Sequence, residues 1–227
     1  PDQHDKFHSC FRKWLISMVA CWMDDTKRND QVLVRIGPQG IYKTTWLESL
    51  LPESLRMYQN KLVLNGMGKV DDDVRNMLYE NALINMDELD AMNNSELNRV
   101  KSLITAQEVN NRDKYQRFKK RHIRIASFCG STNKTQFLTD LTGSRRWLPF
   151  EVTNIQCPFD SLFPLDRMFA QAYYDYQRGV MYWFDQQDIA SIEAHNEEYR
   201  VQESEEELIK LWFDTPAQGK GEFMTAA

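Results

Sequence analysis

The sequence has no apolar run of the roughly 20 residues that a membrane-spanning helix needs, and it has no signal peptide. Its four cysteines (Cys10, Cys21, Cys129 and Cys157) show neither a CxxC pair nor the spacing of metal ligands. These features exclude a cysteine zinc site and are typical of reduced thiols, so we expect a cytoplasmic protein without a membrane partner. The chain begins with Pro1 rather than methionine, and we expect it to be a piece of a longer protein.

The composition is that of an ordinary globular protein, with 227 residues of which 42% are hydrophobic. This length supports a substantial core, and one domain with an appended subdomain fits it better than two domains. We expect an N-terminal helical segment over 1–30, a core over 31–155, and a C-terminal helical subdomain with a linker over 156–227. Aromatic and aliphatic residues at helical spacing from Phe7 to Trp22 predict an amphipathic helix that packs on the sheet.

The stretch QVLVRIGPQGIYKTTW, residues 31–46, combines an apolar run, a glycine-bearing loop and a Lys-Thr pair. Residues 32–36 predict a strand buried on both faces, and 45–51 predict a helix. Such a loop aims backbone N–H groups at an anion, so the pattern indicates a phosphate loop for ATP. The residues predicted to bind the nucleotide are Gly37, Pro38, Gln39, Gly40, Ile41, Tyr42, Lys43, Thr44 and Thr45.

Within this loop Lys43 would reach the β- and γ-phosphates, and the Thr44 hydroxyl would ligate Mg²⁺. Tyr42 departs from the pattern GxxxxGK[ST], because it stands where the second glycine belongs. The simpler alternative is an ordinary strand–turn–helix with a surface lysine.

A second strand-end signal follows at residues 82–86, an apolar run that ends in Asp87 and Glu88. An acid pair delivered by a strand beside a phosphate loop is typical of ATPases. Asp87 would hold the magnesium through water, and Glu88 would polarise the attacking water. Asn85, Asp90 and Asn93 are interpreted as structural or solvated.

A fourth strand is predicted at 123–129, and Gly-Ser-Thr-Asn follows it. Asn133 is the candidate to sense the γ-phosphate; the alternative is a turn asparagine. Arg145 and Arg146 precede a fifth strand at 147–152 and suit a transition-state finger, because a planar guanidinium stabilises phosphoryl charge. At least one of the two is expected to form an ordinary surface pair instead.

A basic segment stands out against the net charge of −5. Residues 110–124 carry seven Lys/Arg and one Asp, which leaves 21 basic and 32 acidic residues elsewhere. Hairpin arms at 107–109 and 118–122, with turn chemistry at 110–113, would present this charge to single-stranded DNA. The predicted nucleic-acid contacts are Arg112, Lys114, Tyr115, Lys119, Lys120 and Arg121. The alternative is a solvated loop.

The remaining elements are predicted from periodicity and caps. We expect a second strand at 61–65, a short helix at 74–80 and a helix at 95–105 capped by Ser95. Helices are further predicted at 165–178, 188–199 and 205–213, and the aromatic residues at 173–184 are interpreted as core.

Taken together, GPQGIYKTT, LINMDELD, GSTN and TGSRRW, in this order and spacing, resemble the ATPase domain of the virulence-associated E family. That family is related to superfamily 3 helicases and to phage and plasmid primase–helicases. The resemblance implies an α/β P-loop NTPase core, RecA/AAA+-like, with a five-stranded mostly parallel sheet. It also implies Mg²⁺ and ATP as cofactors, work on DNA, a channel hairpin at 106–122, and self-association into a ring, a hexamer in the full-length protein.

Three hypotheses follow for the function. The first is an ATP-hydrolysing motor domain on DNA, a superfamily 3-like helicase of a mobile element or phage. The second is another P-loop enzyme, such as a small-molecule kinase. The third is a non-hydrolysing nucleic-acid-binding or assembly module, which the departure at Tyr42 leaves open.

Overall fold

The computed structural model describes residues 3–62, 72–111, 120–139, 143–156 and 164–201. The α-helices are α1 Gln3–Met23, α2 Lys43–Glu48, α3 Asp72–Glu80, α4 Asn94–Thr105, α5 Leu165–Gln177 and α6 Gln186–Asn196. The strands are β1 Val32–Ile36, β2 Gln59–Lys61, β3 Leu83–Met86, β4 Glu108–Asn111, β5 Lys120–Ile123, β6 Ser127–Thr132 and β7 Trp147–Glu151. Short 3₁₀ helices occupy Glu53–Tyr58, Leu89–Ala91, Ser144–Arg146 and Glu197–Tyr199. No helix in these ranges has the length and hydropathy needed to cross a membrane.

Five parallel strands form the main sheet, in the order β2-β3-β6-β1-β7. β1 lies inside the sheet, with Val32 opposite Phe128 of β6 on one side and Trp147 of β7 on the other. Four of its five residues are buried, and they are the four apolar ones, as expected for a strand covered on both faces; Arg35 is the fifth. The predicted α/β architecture with a five-stranded parallel sheet is therefore confirmed.

Helices cover both faces of this sheet. Strand residues on one face pack with α3 and α4, and the core there includes Val34, Ile36, Ile84, Phe128, Leu78, Val100 and Ile104. The other face packs with α1, α2, α5 and α6 around Leu33, Leu83, Leu148, Trp14, Leu47, Phe169 and Ile192. The expected amphipathic helix before the sheet is α1, and the buried Asn29 amide ties it down by donating to Trp14 O at 3.1 Å and Ser127 Oγ at 3.1 Å.

Helix α6 covers the open edge of β7. His195 Nε2 donates to Pro149 O at 3.0 Å, and burial lowers the pKa of this imidazole, which favours its neutral form. Asn196 Nδ2 donates to Ser144 O at 2.6 Å and to Trp147 O at 3.0 Å. These bonds protect the edge carbonyls and also fix the 3₁₀ turn that precedes β7.

Several predicted boundaries are wrong. The fourth sheet strand is β6 at Ser127–Thr132 rather than 123–129, because Ile123 pairs with Glu108 in a separate hairpin. The second strand is β2 at Gln59–Lys61, and residues 63–65 of the predicted strand lie outside the described residues.

The helix boundaries also shift. α2 begins at Lys43 and ends at Glu48, before the predicted limit at residue 51. α4 is capped by Asn93 rather than Ser95, because the Asn93 side chain and Glu96 form a reciprocal capping box. α3 and α6 each begin two residues before the prediction, and a 3₁₀ turn replaces the predicted end of α6. The helix predicted at 205–213 lies outside the described residues.

β4 and β5 form an antiparallel hairpin beside the main sheet. Asn110 and Asn111 belong to β4, so their predicted place in the turn is wrong; Arg121 and Lys120 of β5 lie opposite them. The His122 ring stacks on Tyr79 of α3, with centroids 3.9 Å apart, and this contact attaches the hairpin to the core.

Candidate functional site

The loop 37–42 leaves the carboxyl end of β1 between the ends of β6 and β7. Chain crossings at such a point leave a crevice at the carboxyl ends of parallel strands, where ligands bind in open α/β sheets. Gly37 opens the loop, and a Cβ built there would lie 2.3 Å from Val152 O. Only glycine fits this approach, so the first glycine of the motif is required by the packing of the chain leaving β7.

The loop reaches α2 through two residues in the left-handed conformation, Gly40 with φ 85° and Tyr42 with φ 64°. Tyr42 stands where the motif has glycine, and its backbone adopts the conformation that favours glycine. A side chain in this conformation costs about 1–2 kcal/mol. The departure from the motif therefore changes the residue and adds strain, but the glycine-like backbone geometry is kept.

We predict that Tyr42→Gly stabilises the fold by about 1 kcal/mol, because it removes this strain at a side chain that is 49% exposed. Urea unfolding would show the gain as a higher midpoint. Tyr58→Gly is the matched control, since Tyr58 is 43% exposed and is not among the described residues with positive φ. The control should lose stability, and a loss in Tyr42→Gly as well would contradict the prediction.

Lys43, the first residue of α2, lies over the loop with only 6% of its surface exposed. Its Nζ donates to Gly37 O and Pro38 O, each at 2.7 Å, and to Asn133 Oδ1 at 3.0 Å. Burial lowers the pKa of Lys43, while the nearby carboxylates of Asp87 and Asp90 act in the opposite direction. The ammonium group is thus held at the centre of the loop by neutral acceptors.

Thr44 and Asp87 meet beside this lysine, with Thr44 Oγ1 donating to Asp87 Oδ1 at 2.9 Å. The same carboxylate oxygen accepts from the Ser131 hydroxyl and from the Glu88 N–H at 3.2 Å. No group of three or more His, Cys, Asp or Glu side chains suited to a metal occurs in the described ranges. Mg²⁺ commonly uses one or two protein oxygens together with substrate phosphates, so this hydroxyl–carboxylate pair fits it.

Glu88 is exposed and is the second non-glycine residue with a left-handed backbone, at φ 53°. Tyr42 and Glu88 are the two such residues in the described part of the chain, and they belong to the two segments that meet through Thr44 and Asp87. Backbone strain of this kind concentrates at functional sites, where the surrounding structure maintains it. The two outliers therefore support a functional role for this edge of the sheet.

Asn133 follows β6, and its side chain reaches Lys43 at 3.0 Å. Asp90 holds the backbone in this position, because its Oδ1 accepts from Thr132 Oγ1 at 3.1 Å and from Asn133 N at 3.3 Å. Ser131 and Thr132 are both buried, although serine and threonine at a strand end read as turn residues in the sequence. Sequence reasoning missed Ser131 and Thr132 as neighbours of the acids.

The predicted arginine finger lies away from the predicted phosphate loop of its own chain. Arg145 and Arg146 precede β7, whose first residue Trp147 is opposite Val32, the first residue of β1. The pair therefore lies at the amino edge of the sheet, and the predicted phosphate loop lies at the carboxyl edge. The five residues of β1 separate the two edges by about 17 Å.

The basic segment is described in part. Of the predicted nucleic-acid contacts, Lys120 and Arg121 lie on β5, while Arg112, Lys114, Tyr115 and Lys119 lie outside the described residues. The Arg121 guanidinium forms an ion pair with Glu108 across the hairpin. This contact partly neutralises one of the predicted phosphate-binding groups.

The three described cysteines lie outside this group of residues. Cys10, Cys21 and Cys129 are free and buried, and Cys157 lies outside the described residues. Burial raises the pKa of the Cys10 and Cys21 thiols to about 11 and that of Cys129 further. These three thiols are therefore protonated at neutral pH and do not act as nucleophiles or metal ligands.

Comparison with known proteins adds a family match. The sequence profile of the virulence-associated protein E-like domain matches residues 2–201. No curated protein matches the chain. Among solved structures, the chain is similar to the apo NrS-1 C-terminal region (305–718) at 16% identity and TM-score 0.49, covering 91% of this chain and 47% of that one.

Two further apo structures of the NrS-1 C-terminal region, both in the A form, are similar to the chain at 17% identity. Their TM-scores are 0.46 and 0.48, with 72% and 88% of this chain and 38% and 45% of those chains covered. The chain thus spans less than half the length of these three structures.

Proposed function

The chain belongs to the virulence-associated protein E-like domain family, and we propose that it is an ATP-hydrolysing motor domain that acts on DNA. In this proposal the core is a P-loop NTPase of the RecA/AAA+-like type, and the motor is a superfamily 3-like helicase of a mobile element or phage. The observation that carries the proposal is the convergence of Lys43, Thr44, Asp87 and Asn133 at the end of β1.

Phosphoryl transfer needs little covalent chemistry from a protein and depends on positioning and charge stabilisation. Lys43 would exchange its contacts with the loop carbonyls for the β- and γ-phosphates of ATP. Thr44 and Asp87 would hold Mg²⁺, directly and through water, and this ion would supply charge neutralisation at the phosphates. Glu88 would polarise the attacking water, and Asn133 would orient that water against the γ-phosphate.

The geometry of the loop favours hydrolysis over the non-hydrolysing alternative. That alternative rested on Tyr42, but the Tyr42 backbone keeps the conformation of the glycine that it replaces. Pro38, Gln39 and Gly40 are exposed and form the open rim of the loop, and Thr45 lies in the first turn of α2. A small-molecule kinase would instead transfer phosphate to an acceptor, which an assay for phosphorylated products detects.

We assign DNA binding to the hairpin formed by β4 and β5 and to the segment between them. The stacking of the His122 ring on Tyr79 anchors β5 of the hairpin to α3. The predicted contacts combine cationic groups with one aromatic ring, which suits sequence-tolerant binding of single strands. They are Lys120 on β5 and, beyond the described strands, Arg112, Lys114, Tyr115 and Lys119. In the longer protein we propose assembly into a ring, a hexamer, with this hairpin facing the channel.

The proposal is tested by measuring ATP turnover with and without single-stranded DNA. A DNA-acting motor should hydrolyse ATP and respond to the DNA. Turnover that DNA leaves unchanged, with a phosphorylated acceptor, indicates the kinase. DNA binding without turnover indicates the non-hydrolysing module.

We predict that Lys119→Glu with Lys120→Glu weakens DNA binding for all sequences and reduces its salt dependence, because fewer counterions are released. Neither lysine belongs to the proposed nucleotide site, so basal ATP turnover should be unchanged. Fluorescence anisotropy of a labelled oligonucleotide over a salt series measures both effects.

The charge-matched control is Lys27→Glu with Arg56→Glu. Lys27 lies between α1 and β1, and Arg56 lies in the first 3₁₀ helix. This control changes the net charge equally and should keep most of the affinity. Equal losses in the two double variants would mean that overall charge, and not the hairpin, determines binding.

A further inference from the structure

Arg35 is the one polar residue of β1, and it lies on the face of the sheet that α1 and α2 cover. Its partner in register on β6 is Ser131, and its partner on β7 is Phe150, which belongs to the core of that face. The Ser131 hydroxyl in turn donates to Asp87. Arg35 is therefore one strand away from a residue that contacts the predicted magnesium carboxylate, and Gly37 follows it by two residues, about 7 Å along the chain.

Two aromatic rings hold the Arg35 guanidinium between the helices. Its central carbon lies 4.2 Å from the ring centroid of Phe7 on α1 and 4.2 Å from that of Trp46 on α2. Phe11 completes the cluster, because its ring stacks on Phe7 with centroids 5.3 Å apart and lies 6.2 Å from the Trp46 ring. Lys43 precedes Trp46 by three residues, so the guanidinium packs against the helix that carries the loop lysine.

The charge of Arg35 has no acidic partner among the residues that the structure describes. The guanidinium forms neither an ion pair nor a hydrogen bond with them, and its Nε is buried. Burial lowers the pKa of Arg35 to about 10, so the group stays charged at neutral pH. Buried charges are normally paired, because an unpaired one costs folding free energy, and the two aromatic faces recover only part of that cost. The fold alone therefore does not account for an arginine at this position.

The carboxyl edge of the sheet gives this charge a use. Asp87, Glu88 and Asp90 lie there, and their carboxylates would repel the phosphates of a ligand. Water screens charges at the surface, whereas a charge inside the protein acts through a medium of lower dielectric constant. A cation that no carboxylate neutralises, placed behind the loop, offsets the repulsion from the acids.

We propose that Arg35 supplies, without touching the ligand, part of the positive potential that draws a polyphosphate to the loop at residues 37–42. The inference rests on the proposed function, since it needs a phosphate ligand on that loop. Phe7 and Trp46 exclude water from the guanidinium and so keep its charge unscreened. The ligand class is a nucleoside polyphosphate, and the contribution of Arg35 grows with the charge of the ligand.

The test replaces Arg35 with methionine, which occupies similar space without a charge, and measures binding by titration calorimetry. The ligands are ATP, ADP and tripolyphosphate, with EDTA present so that ATP carries one more charge than ADP. Arg35→Met should weaken ATP binding roughly 10-fold and ADP binding less, because the Coulomb energy scales with the charge of the ligand. Tripolyphosphate should lose as much affinity as ATP, since the effect acts on the phosphates and not on the base.

Two further substitutions separate charge from shape. Arg35→Lys keeps the charge and should retain most of the affinity. Arg35→Gln is neutral but can form hydrogen bonds, and it should lose affinity as the methionine variant does. The glutamine variant also provides the test if the methionine variant does not fold.

Arg178→Met is the matched control. Arg178 also lies over an aromatic ring, 5.5 Å from the centroid of Tyr174, but it is exposed at the end of α5. The aromatic surface there is exposed too, with Tyr174 at 51% and Trp183 at 56%, so the sequence-based interpretation of the aromatic residues at 173–184 as core is wrong for these two. The control removes the same charge from a screened position and should bind all three ligands as the wild type does.

The outcomes distinguish the inference from the function on which it rests. Equal losses for ATP and ADP would indicate a structural disturbance and would overturn the inference. Wild-type affinity in both neutral variants, or an equal loss in Arg178→Met, would overturn it as well. A wild-type chain that binds none of the three ligands would instead overturn the proposed function.

Discussion

Replacing Lys43 with alanine is expected to abolish ATP hydrolysis and to weaken ATP binding roughly 10- to 100-fold, the loss of a charge-assisted hydrogen bond to phosphate. Glu88→Gln is expected to lower kcat by about 10²- to 10⁴-fold, the usual contribution of a general base, while ATP binding stays unchanged. The difference is expected because, in the proposed mechanism, Lys43 contacts phosphate in the ground state, whereas Glu88 acts on water during the reaction. Equilibrium binding of labelled ATP and single-turnover hydrolysis measure the two quantities separately.

Two surface substitutions serve as controls. Lys27→Ala removes a lysine between α1 and β1, and Glu53→Gln neutralises an exposed acid of the first 3₁₀ helix. Both should bind and hydrolyse ATP as the wild type does. If Lys43→Ala bound and hydrolysed ATP normally, the assignment of the phosphate loop would be wrong. If the Glu88→Gln chain hydrolysed ATP at the wild-type rate, a group other than Glu88 would be the general base.

The centre of the fold could be predicted from the sequence because its local pattern and its tertiary environment agree. The run from Val32 to Ile36 is apolar except for Arg35, and the other four residues of β1 are buried. β2 could not be found in this way, since Gln59, Asn60 and Lys61 form a largely exposed edge strand. Its pairing with β3 is set by long-range hydrogen bonds, which leave no periodic signal along the chain.

The site shows the same division between local and long-range information. That Lys43, Thr44 and Asp87 lie together could be predicted, because loop and strand-end motifs are local. The burial of Ser131 and Thr132 could not, because two polar residues after a strand read as a turn until their carboxylate partners are known. In the same way, Ile123 and Ile125 look like parts of the sheet strand, but Arg124 N bonds to Gln107 O and turns the chain into the hairpin.

The left-handed backbone at Tyr42 could be predicted only in part from the sequence. The sequence reveals that a glycine is missing from the motif, but only the structure reveals what replaces it. The loop imposes its conformation on tyrosine, since the N–H of Trp46 bonds to Tyr42 O at 2.9 Å to begin α2 and Lys43 bonds back to the loop. A motif position is therefore defined here by its φ angle rather than by its residue.

Complementation between two inactive chains is the second large expected effect. The double change Arg145→Ala with Arg146→Ala should lower ATP turnover by about 10³-fold or more, the usual contribution of an arginine finger. Both residues lie at the amino edge of the sheet, away from the predicted phosphate loop of their own chain, and we propose that a neighbouring copy receives them. Mixing this variant with Lys43→Ala should therefore restore turnover.

The turnover that the mixture regains depends on how the two variants combine at random in the assembly. In an equal mixture, roughly a quarter of head-to-tail interfaces combine the intact loop of the arginine variant with the intact arginines of the lysine variant. Turnover should rise towards that fraction of the wild-type rate, and dilution should abolish it. The two single arginine variants, mixed in the same way, identify which guanidinium reaches the phosphate. A mixture as inactive as its components, or a wild-type rate per chain that is independent of concentration down to monomer, would show that the arginines do not act between copies.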